Sequence, residues 1–196
     1  MHDAIENGAA IWTHRVLAAV AGNIGDGSPE EVARLARVLV RTPWWEGCPV
    51  ATDALPDDAA PRYRRMPLRR PATAGDYSVL LIAWPPDHVT PIHDHDGLWG
   101  IELVLDGVLQ VESFAMAMEP SLHLAARGAA PLGIGDYARF SDDDYAHRCR
   151  NLSAQRPALS LHVYGGALER FRTFDQDDRG RWDSVAHCAE LEPASY

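Results

Sequence analysis

Three histidines carry the clearest chemical signal in this sequence. His93 and His95 flank Asp94 in a Pro-Ile-His-Asp-His segment, and His147 lies much further along the chain. On a β-strand, residues i and i+2 point to the same face, so His93 and His95 can both reach one metal ion. Imidazole is a common ligand for iron, zinc, copper and nickel. A His-x-His pair alone is a weak signal, since surface and core histidines share this spacing, but the third histidine favours a metal site.

A second group of polar residues alternates along one predicted strand. Ser160, His162 and Tyr164 are separated by single apolar residues, which places all three side chains on one face. Two interpretations remain open from these residues alone. The strand either turns a polar side to solvent or directs three polar side chains toward a functional site.

The elements that must position these residues are predominantly strands. From Tyr77 onward, short apolar segments are separated by turns such as Asp106-Gly107. Strands are predicted at 77–84, 98–105, 108–115, 120–125, 137–141, 145–150 and 158–164. So many short strands without intervening helices predict a mainly β fold, an antiparallel β-sandwich or jelly-roll barrel. The polar tail after Arg172 is expected to wrap around the outside.

The N-terminal part predicts a small helical segment. Trp12, Val16 and Val20 recur at helical spacing, and a second helix is predicted to start at Ser28-Pro29, with Ser28 as its capping residue. Residues 43–76, rich in proline and arginine, are expected to be irregular covering segments that include short strands at most. We therefore expect N-terminal helices over residues 1–42 that pack on a barrel with peripheral loops over 43–196, as one domain overall.

Composition excludes several classes of function. With 18 basic and 28 acidic residues, the formal charge is −10, so neither nucleic acid nor an anionic membrane surface is an expected partner. The three cysteines are widely spaced, which indicates neither a disulfide framework nor a thiolate zinc site. No apolar run approaches the roughly 20 residues of a membrane-spanning helix. The first residues lack the pattern of a secretory signal, so a cytoplasmic location is expected.

Taken together, these motifs resemble those of the cupin superfamily, and within it the thiol dioxygenases typified by cysteine dioxygenase. The resemblance is densest from 77 to 176 and covers most of 28–180. It rests on four segments: His93-x-His95, His147 with Asn151 close behind, Ser-Leu-His-Val-Tyr at 160–164, and Phe-Asp-Gln at 174–176. It implies a cupin barrel that binds iron(II) (Fe2+) and oxidises a small thiol acid with O2. The expected reaction converts L-cysteine to cysteine sulfinate.

The resemblance also implies roles for individual residues. His93, His95 and His147 would be the iron ligands, and Ser160, His162 and Tyr164 would form a relay beside the iron, with the Tyr164 hydroxyl bonded to substrate or oxygen. Arg65, in Tyr-Arg-Arg at 63–65, would bind the substrate carboxylate, for which an arginine fork is well suited. The alternatives for this role are Arg172, or a solvated Arg65 with no role.

Two positions leave the substrate and the site open. Many cupins place a glutamate ligand where this chain has Gly100, and animal cysteine dioxygenases place there a cysteine that cross-links to the relay tyrosine. Gly100 can neither bind a metal nor form this cross-link. The pair Trp99-Gly100 resembles the bacterial branch that includes 3-mercaptopropionate dioxygenases, so oxidation of 3-mercaptopropionate is the alternative to oxidation of cysteine. A cupin that binds metal without catalysis is a further alternative. Glu102 shares the face of Gly100 by strand alternation and is expected either to pair with an arginine or to approach the metal.

Overall fold

The computed structural model describes residues 2–55, 62–73, 75–140 and 144–191, with side chains from residue 8 onward. Strands account for most of this part. The helical elements are α1 (His2–Ala21), α2 (Pro29–Leu39), a short 3-10 turn (Thr42–Trp44) and α3 (Ala51–Ala54). The strands are β1 (Arg64–Arg69), β2 (Ser78–Trp84), β3 (Ile92–His93), β4 (Gly100–Asp106), β5 (Leu109–Ala117), β6 (His123–Leu132), β7 (Tyr137–Phe140), β8 (Tyr145–Asn151), β9 (Ala158–Tyr164), β10 (Arg170–Gln176) and β11 (Trp182–Cys188).

The strands form two antiparallel sheets. The first sheet has the order β1-β2-β9-β4-β7, and the second has the order β11-β10-β3-β8-β5-β6. Neighbours in each order are mostly distant in sequence, as in a jelly roll rather than a simple meander. The prediction of a mainly β, cupin-type antiparallel sandwich with a small N-terminal helical segment is thus confirmed. The proposed division at residue 42 stays a prediction.

Strand β2 shows why the central strands are apolar on both faces. All seven of its residues are buried. Val79, Leu81 and Ala83 pack with the apolar side chains of the helices, whereas Leu80 and Ile82 face the second sheet. A strand covered on both sides reads as a continuous apolar run. The helices therefore complete the core on the outer face of the first sheet.

The N-terminal helices differ from expectation in one detail. Helix α2 starts at Pro29 as predicted, but Ser28 makes no side-chain capping hydrogen bond. Instead, Asp26 Oδ1 accepts the backbone N–H of Ser28, and Glu31 Oε2 accepts that of Asp26. The turn before α2 is therefore closed by carboxylates, which the positive end of the helix dipole favours.

Two expectations about the strands were wrong. Strand β3 contains only Ile92 and His93, so His95 lies beyond it, in the loop that follows. The tail after Arg172, expected to wrap around the outside, instead continues β10 and forms β11, and these two strands pair as a hairpin. Most β11 side chains are exposed, so the segment lacks the apolar alternation that predicts a strand. Residues 141–143, which include the end of the strand predicted at 137–141, lie outside the described residues.

Trp99, just after the loop that carries His95, joins distant parts of the chain. A Cβ atom on Gly27 would lie only 2.2 Å from Trp99 Nε1, and a Cβ atom on Gly165 would lie only 2.1 Å from it. Only glycine, without a Cβ, permits this approach at both positions. The backbone carbonyl of Trp99 also accepts the backbone N–H of Gly165. The turn between α1 and α2 is thereby packed against the histidine loop.

Candidate metal centre and active site

The structure brings the three predicted histidines together between β3 and β8. His93 and His147 are directly opposite each other in the strand register, and their Nε2 atoms are 3.2 Å apart. One nitrogen of His95 completes a group in which all ligand atoms lie within 4.8 Å of one another. His95 and His147 are buried, at 4% and 2% exposure.

The orientation of these imidazoles fits a metal ion. His93 Nδ1 donates to the carbonyl of Pro91 at 3.0 Å, which leaves Nε2 with a free lone pair. Two nitrogens bound at about 2.1 Å to one ion would lie about 3.0–3.4 Å apart for octahedral to tetrahedral angles, and the observed separation is 3.2 Å. The buried Nδ1 of His95 has no hydrogen-bond partner among the described residues.

Burial keeps all three rings neutral, as metal binding requires. Desolvation is the main cause that lowers the pKa of His93, His95 and His147, and for His95 and His147 the pKa falls well below the usual value. Phe140 adds a packing constraint, since its ring stacks on that of His95 at 4.4 Å and 12°. The rings are therefore oriented by neighbours before any ion binds.

Asp94, between the two histidines of the His-x-His pair, points away from the cluster into an ion pair. Its carboxylate accepts the backbone N–H of Arg172 at 2.7 Å and the side-chain Nε–H at 2.7 Å. The Asp94 side chain is only 3% exposed, so its charge needs this partner. Arg172, the second candidate for the carboxylate clamp, is thus already paired, and its role is to hold the histidine loop.

The polar residues of β9 form a continuous hydrogen-bond chain. Trp84 Nε1 donates to Ser160 Oγ at 2.8 Å, Ser160 Oγ is 2.8 Å from His162 Nε2, and His162 Nδ1 is 2.9 Å from the Tyr164 hydroxyl. All of β9 is buried. Burial lowers the pKa of His162 to about 3 and raises that of Tyr164 well above its usual value. Both groups are therefore neutral around pH 7, and the strand does not turn a polar side to solvent.

Glu102 lies behind the histidine cluster rather than in it. Its carboxylate is fully buried and 3.7 Å from His147 Nδ1. Cys149 Sγ donates to it at 3.4 Å, and no arginine pairs with it among the described residues. Burial raises the pKa of Glu102 to about 7. Of the two expected outcomes, an arginine pair is wrong for the described residues, and the carboxylate lies behind His147, a predicted ligand.

A cavity of about 310 Å³ opens in front of the cluster. His93, His95 and Tyr164 line it, together with Arg65. The Arg65 guanidinium carbon lies 5.6 Å from the Phe171 ring centroid and 5.8 Å from that of Tyr63. No carboxylate lies within ion-pair distance of Arg65 in the part of the chain that the structure describes. A cation without an acidic partner thus faces the same cavity as the histidines.

The sequence did not single out several residues of the cavity wall. Tyr63 and His88 stack at 4.7 Å and 10°, and His187 stacks on Phe171 at 5.1 Å; all four line the cavity. Tyr63 could have been found from its place beside Arg65. His88 and His187 have no partner spacing in the sequence, and only the fold brings them to the site.

Comparisons with known proteins agree with these features. Residues 59–177 match the family model of cysteine dioxygenase type I. The chain is 28% identical over 102 residues to cysteine dioxygenase type 1 of Homo sapiens, covering 52% of this chain and 51% of that protein, and 30% identical over 103 residues to that of Danio rerio, with the same coverage. It spans about half the length of the curated relatives it matches. The cupin domain of Schizosaccharomyces pombe Cnp3 aligns with a TM-score of 0.42 and 8% identity, covering 56% of this chain and 65% of that one.

Proposed function

We propose that this chain, which belongs to the cysteine dioxygenase type I family, is an iron(II)-dependent dioxygenase of small thiol acids. The reaction adds both atoms of O2 to a thiolate, RS⁻ + O2 → RSO2⁻, and L-cysteine is the substrate we favour. One observation carries the proposal: His93, His95, Tyr164 and Arg65 face a single cavity of about 310 Å³. A metal site, a neutral proton donor and a cation for a carboxylate are thus within reach of one small molecule.

The donor set supports an anionic sulfur ligand. Three neutral imidazoles leave a divalent ion its full charge, unlike sites with two histidines and a carboxylate. Iron(II), when bound by His93, His95 and His147, would supply the open positions at which the thiolate and O2 react. The substrate itself then brings the negative charge that the protein ligands lack.

The hydrogen-bond chain on β9 can be given a direction. Trp84 Nε1–H can only donate, so Ser160 Oγ accepts from it. Within the described part of the chain, the Ser160 hydroxyl has one acceptor, His162 Nε2. His162 must then carry its proton on Nδ1 and donate it to the Tyr164 oxygen. The Tyr164 O–H is left free to donate into the cavity, to the substrate carboxylate or to oxygen.

Arg65 completes the site as the partner of the substrate carboxylate. Its guanidinium packs against the rings of Phe171 and Tyr63, which restricts its position. A charge-assisted fork to a carboxylate is among the stronger hydrogen-bond arrangements. A thiol without an acid group, such as cysteamine, would lose this contact and should be a poor substrate.

The closest alternative is a dioxygenase of 3-mercaptopropionate. Asp94 is the one carboxylate that lines the cavity among the described residues, and Arg172 already neutralises it. Among the described residues that line the cavity, no acidic group is thus free to bind a substrate ammonium. Cysteine would therefore have to bind with its amine uncharged. The substrate 3-mercaptopropionate has no amine and so needs no acidic partner in the cavity.

Anaerobic iron loading followed by oxygen uptake over a panel of thiols tests the function. The panel is cysteine, 3-mercaptopropionate, homocysteine and cysteamine, with the sulfinate product measured by mass spectrometry. We expect one O2 consumed per cysteine oxidised and little turnover of cysteamine. Much faster turnover of 3-mercaptopropionate than of cysteine would overturn the substrate. Iron bound without oxygen uptake on any thiol would indicate a cupin that binds metal without catalysis.

A further inference from the structure

Glu102 has no part in the proposed reaction, yet it is buried directly behind the metal site. Register places it opposite His162 on β9, and none of its surface is exposed. Its Oε2 is 3.7 Å from His147 Nδ1, and its Oε1 is 3.8 Å from His162 Nε2. The carboxylate therefore stands between a predicted metal ligand and the relay.

Hydrogen-bond accounting selects one partner for this carboxylate. A buried carboxylate is costly unless donors satisfy it. Cys149 S–H donates to Oε1, but a thiol is a weak donor. His162 Nε2 accepts the Ser160 hydroxyl and so has no proton to give. Among the described residues, the donor that remains near Glu102 is Nδ1–H of His147. This nitrogen also lies 3.6 Å from Cys149 Sγ, so the thiol sulfur, a weak acceptor, competes with the carboxylate for its proton.

We propose that Glu102 is a positioning residue for the metal centre, accepting Nδ1–H of His147 and so keeping the Nε2 lone pair directed at the metal. The inference rests on the proposed metal site and not on the thiol substrate. A histidine ligand commonly donates its second ring nitrogen to a carboxylate or carbonyl, which fixes its tautomer and raises its basicity. His93 follows this rule with Pro91, and Glu102 provides the equivalent for His147.

The 3.7 Å separation is longer than a hydrogen bond. A shift of about half an ångström in the carboxyl group or the ring closes it to hydrogen-bond length. A divalent ion bound at Nε2 of His147 would favour that shift, because it would strengthen the dipole of the Nδ1–H bond on the other side of the ring.

Glu102→Gln tests the proposal, with Glu169→Gln, an exposed acid on the same chain, as the matched control. Zinc affinity is measured by competition with a chelator, and thermal unfolding without metal reports whether the fold is intact. We expect Glu102→Gln to bind zinc about 10- to 100-fold more weakly and the control to match the wild type. Affinity within twofold of the wild type in a folded Glu102→Gln variant would overturn the proposal.

Nitrogen-15 NMR of the histidine rings gives a readout that a purely structural role would not change. In the metal-free wild type, His147 should carry its proton on Nδ1, and Glu102→Gln should increase the Nε2–H tautomer. A wild-type His147 protonated on Nε2 would refute the proposal even if the variant fails to fold. Two zinc ions per chain would also refute it, because Glu102, His147 and Cys149 are close enough to form a second site. These readouts stand whether or not any thiol is oxidised.

Discussion

Gly100 and Tyr164 face each other in the register of β4 and β9. A Cβ atom on Gly100 would lie 2.3 Å from Cζ of Phe140, so the Phe140 ring fills the space that any side chain at position 100 would need. The same ring stacks on His95 and on Tyr145. In place of a side chain at position 100, this protein thus has the ring of Phe140, which packs against the predicted ligand His95.

Gly100→Cys should therefore destabilise the fold rather than create a cross-link. Overpacking of a dense core costs about 1–3 kcal/mol, and we expect that decrease in the free energy of unfolding by urea denaturation. Gly8→Ala is the control, since a Cβ there meets its nearest atom at an ordinary 3.5 Å. In a Phe140→Ala background, Gly100→Cys should cost less than it does in the wild type, because the ring that it clashes with is gone. Equal stability of Gly100→Cys and wild type would contradict this account.

Removing one predicted ligand should abolish metal binding without unfolding the chain. His93→Ala takes away an imidazole whose Nε2 is 3.2 Å from that of His147. We expect iron and zinc affinity to fall by at least about a hundredfold, as measured by metal analysis after chelator competition. His123→Ala, at an exposed position of β6, should retain wild-type affinity. Full metal content in His93→Ala would exclude the three-histidine site.

The Tyr164 hydroxyl should matter for turnover and not for metal content. Tyr164→Phe removes the proton donor at the end of the β9 chain while keeping the ring. Proton donation in a transition state contributes factors of about 10²–10⁴, so turnover should fall by about one to three orders of magnitude. Tyr137→Phe, in the separate cluster beneath the helices, is the control. Unchanged steady-state kinetics in Tyr164→Phe would make the relay purely structural.

Arg65 and Arg172 should give different phenotypes. Arg65→Ala should raise the Michaelis constant for cysteine about tenfold or more, because the substrate carboxylate loses its partner. Arg172→Ala should instead lower the free energy of unfolding by about 1–3 kcal/mol, because Asp94 is left buried and unpaired. Steady-state kinetics and urea unfolding of both variants separate the two roles. A larger Michaelis constant from Arg172→Ala than from Arg65→Ala would reverse the assignment.

Stability should decrease as the pH falls below neutral. His162 has a pKa of about 3 in the fold against a usual value of 6.5, so below pH 6.5 the unfolded chain takes up a proton that the folded chain does not. From pH 7 to pH 5, this one residue should cost about 2 kcal/mol. Urea unfolding of the metal-free protein at both pH values should show a smaller loss in His162→Gln than in wild type. His14→Gln, at an exposed position, should show the wild-type loss; equal losses in all three proteins would contradict the assignment.

The sequence predicts the elements that have a strong pattern of their own. The strand over 158–164 matches β9 residue for residue, because apolar residues alternate with its three polar ones. The three histidines were found from type and spacing, although His95 lies beyond β3. The short β3 is held by β10 and β8 on either side, and that support comes from pairing, which local sequence does not encode.

Contacts between distant segments could not be predicted. Nothing near Arg172 indicates that it binds Asp94, and His187 reaches the cavity only because β11 pairs with β10. The role of Glu102 was left open for the same reason. Strand alternation placed it inside, but its neighbours come from β8 and β9. Tertiary pairing, not local propensity, decides which polar residues meet.

The packing of Trp99 between Gly27 and Gly165 has a consequence for the order of folding. These contacts close long loops, so the chain loses conformational entropy before the contacts can stabilise the fold. Folds dominated by such distant contacts form slowly. The histidine loop should therefore acquire its final geometry late, once the N-terminal helices have docked. During biosynthesis the chain would gain its affinity for metal only after the whole β9 segment has emerged, which delays metal capture until the fold is nearly complete.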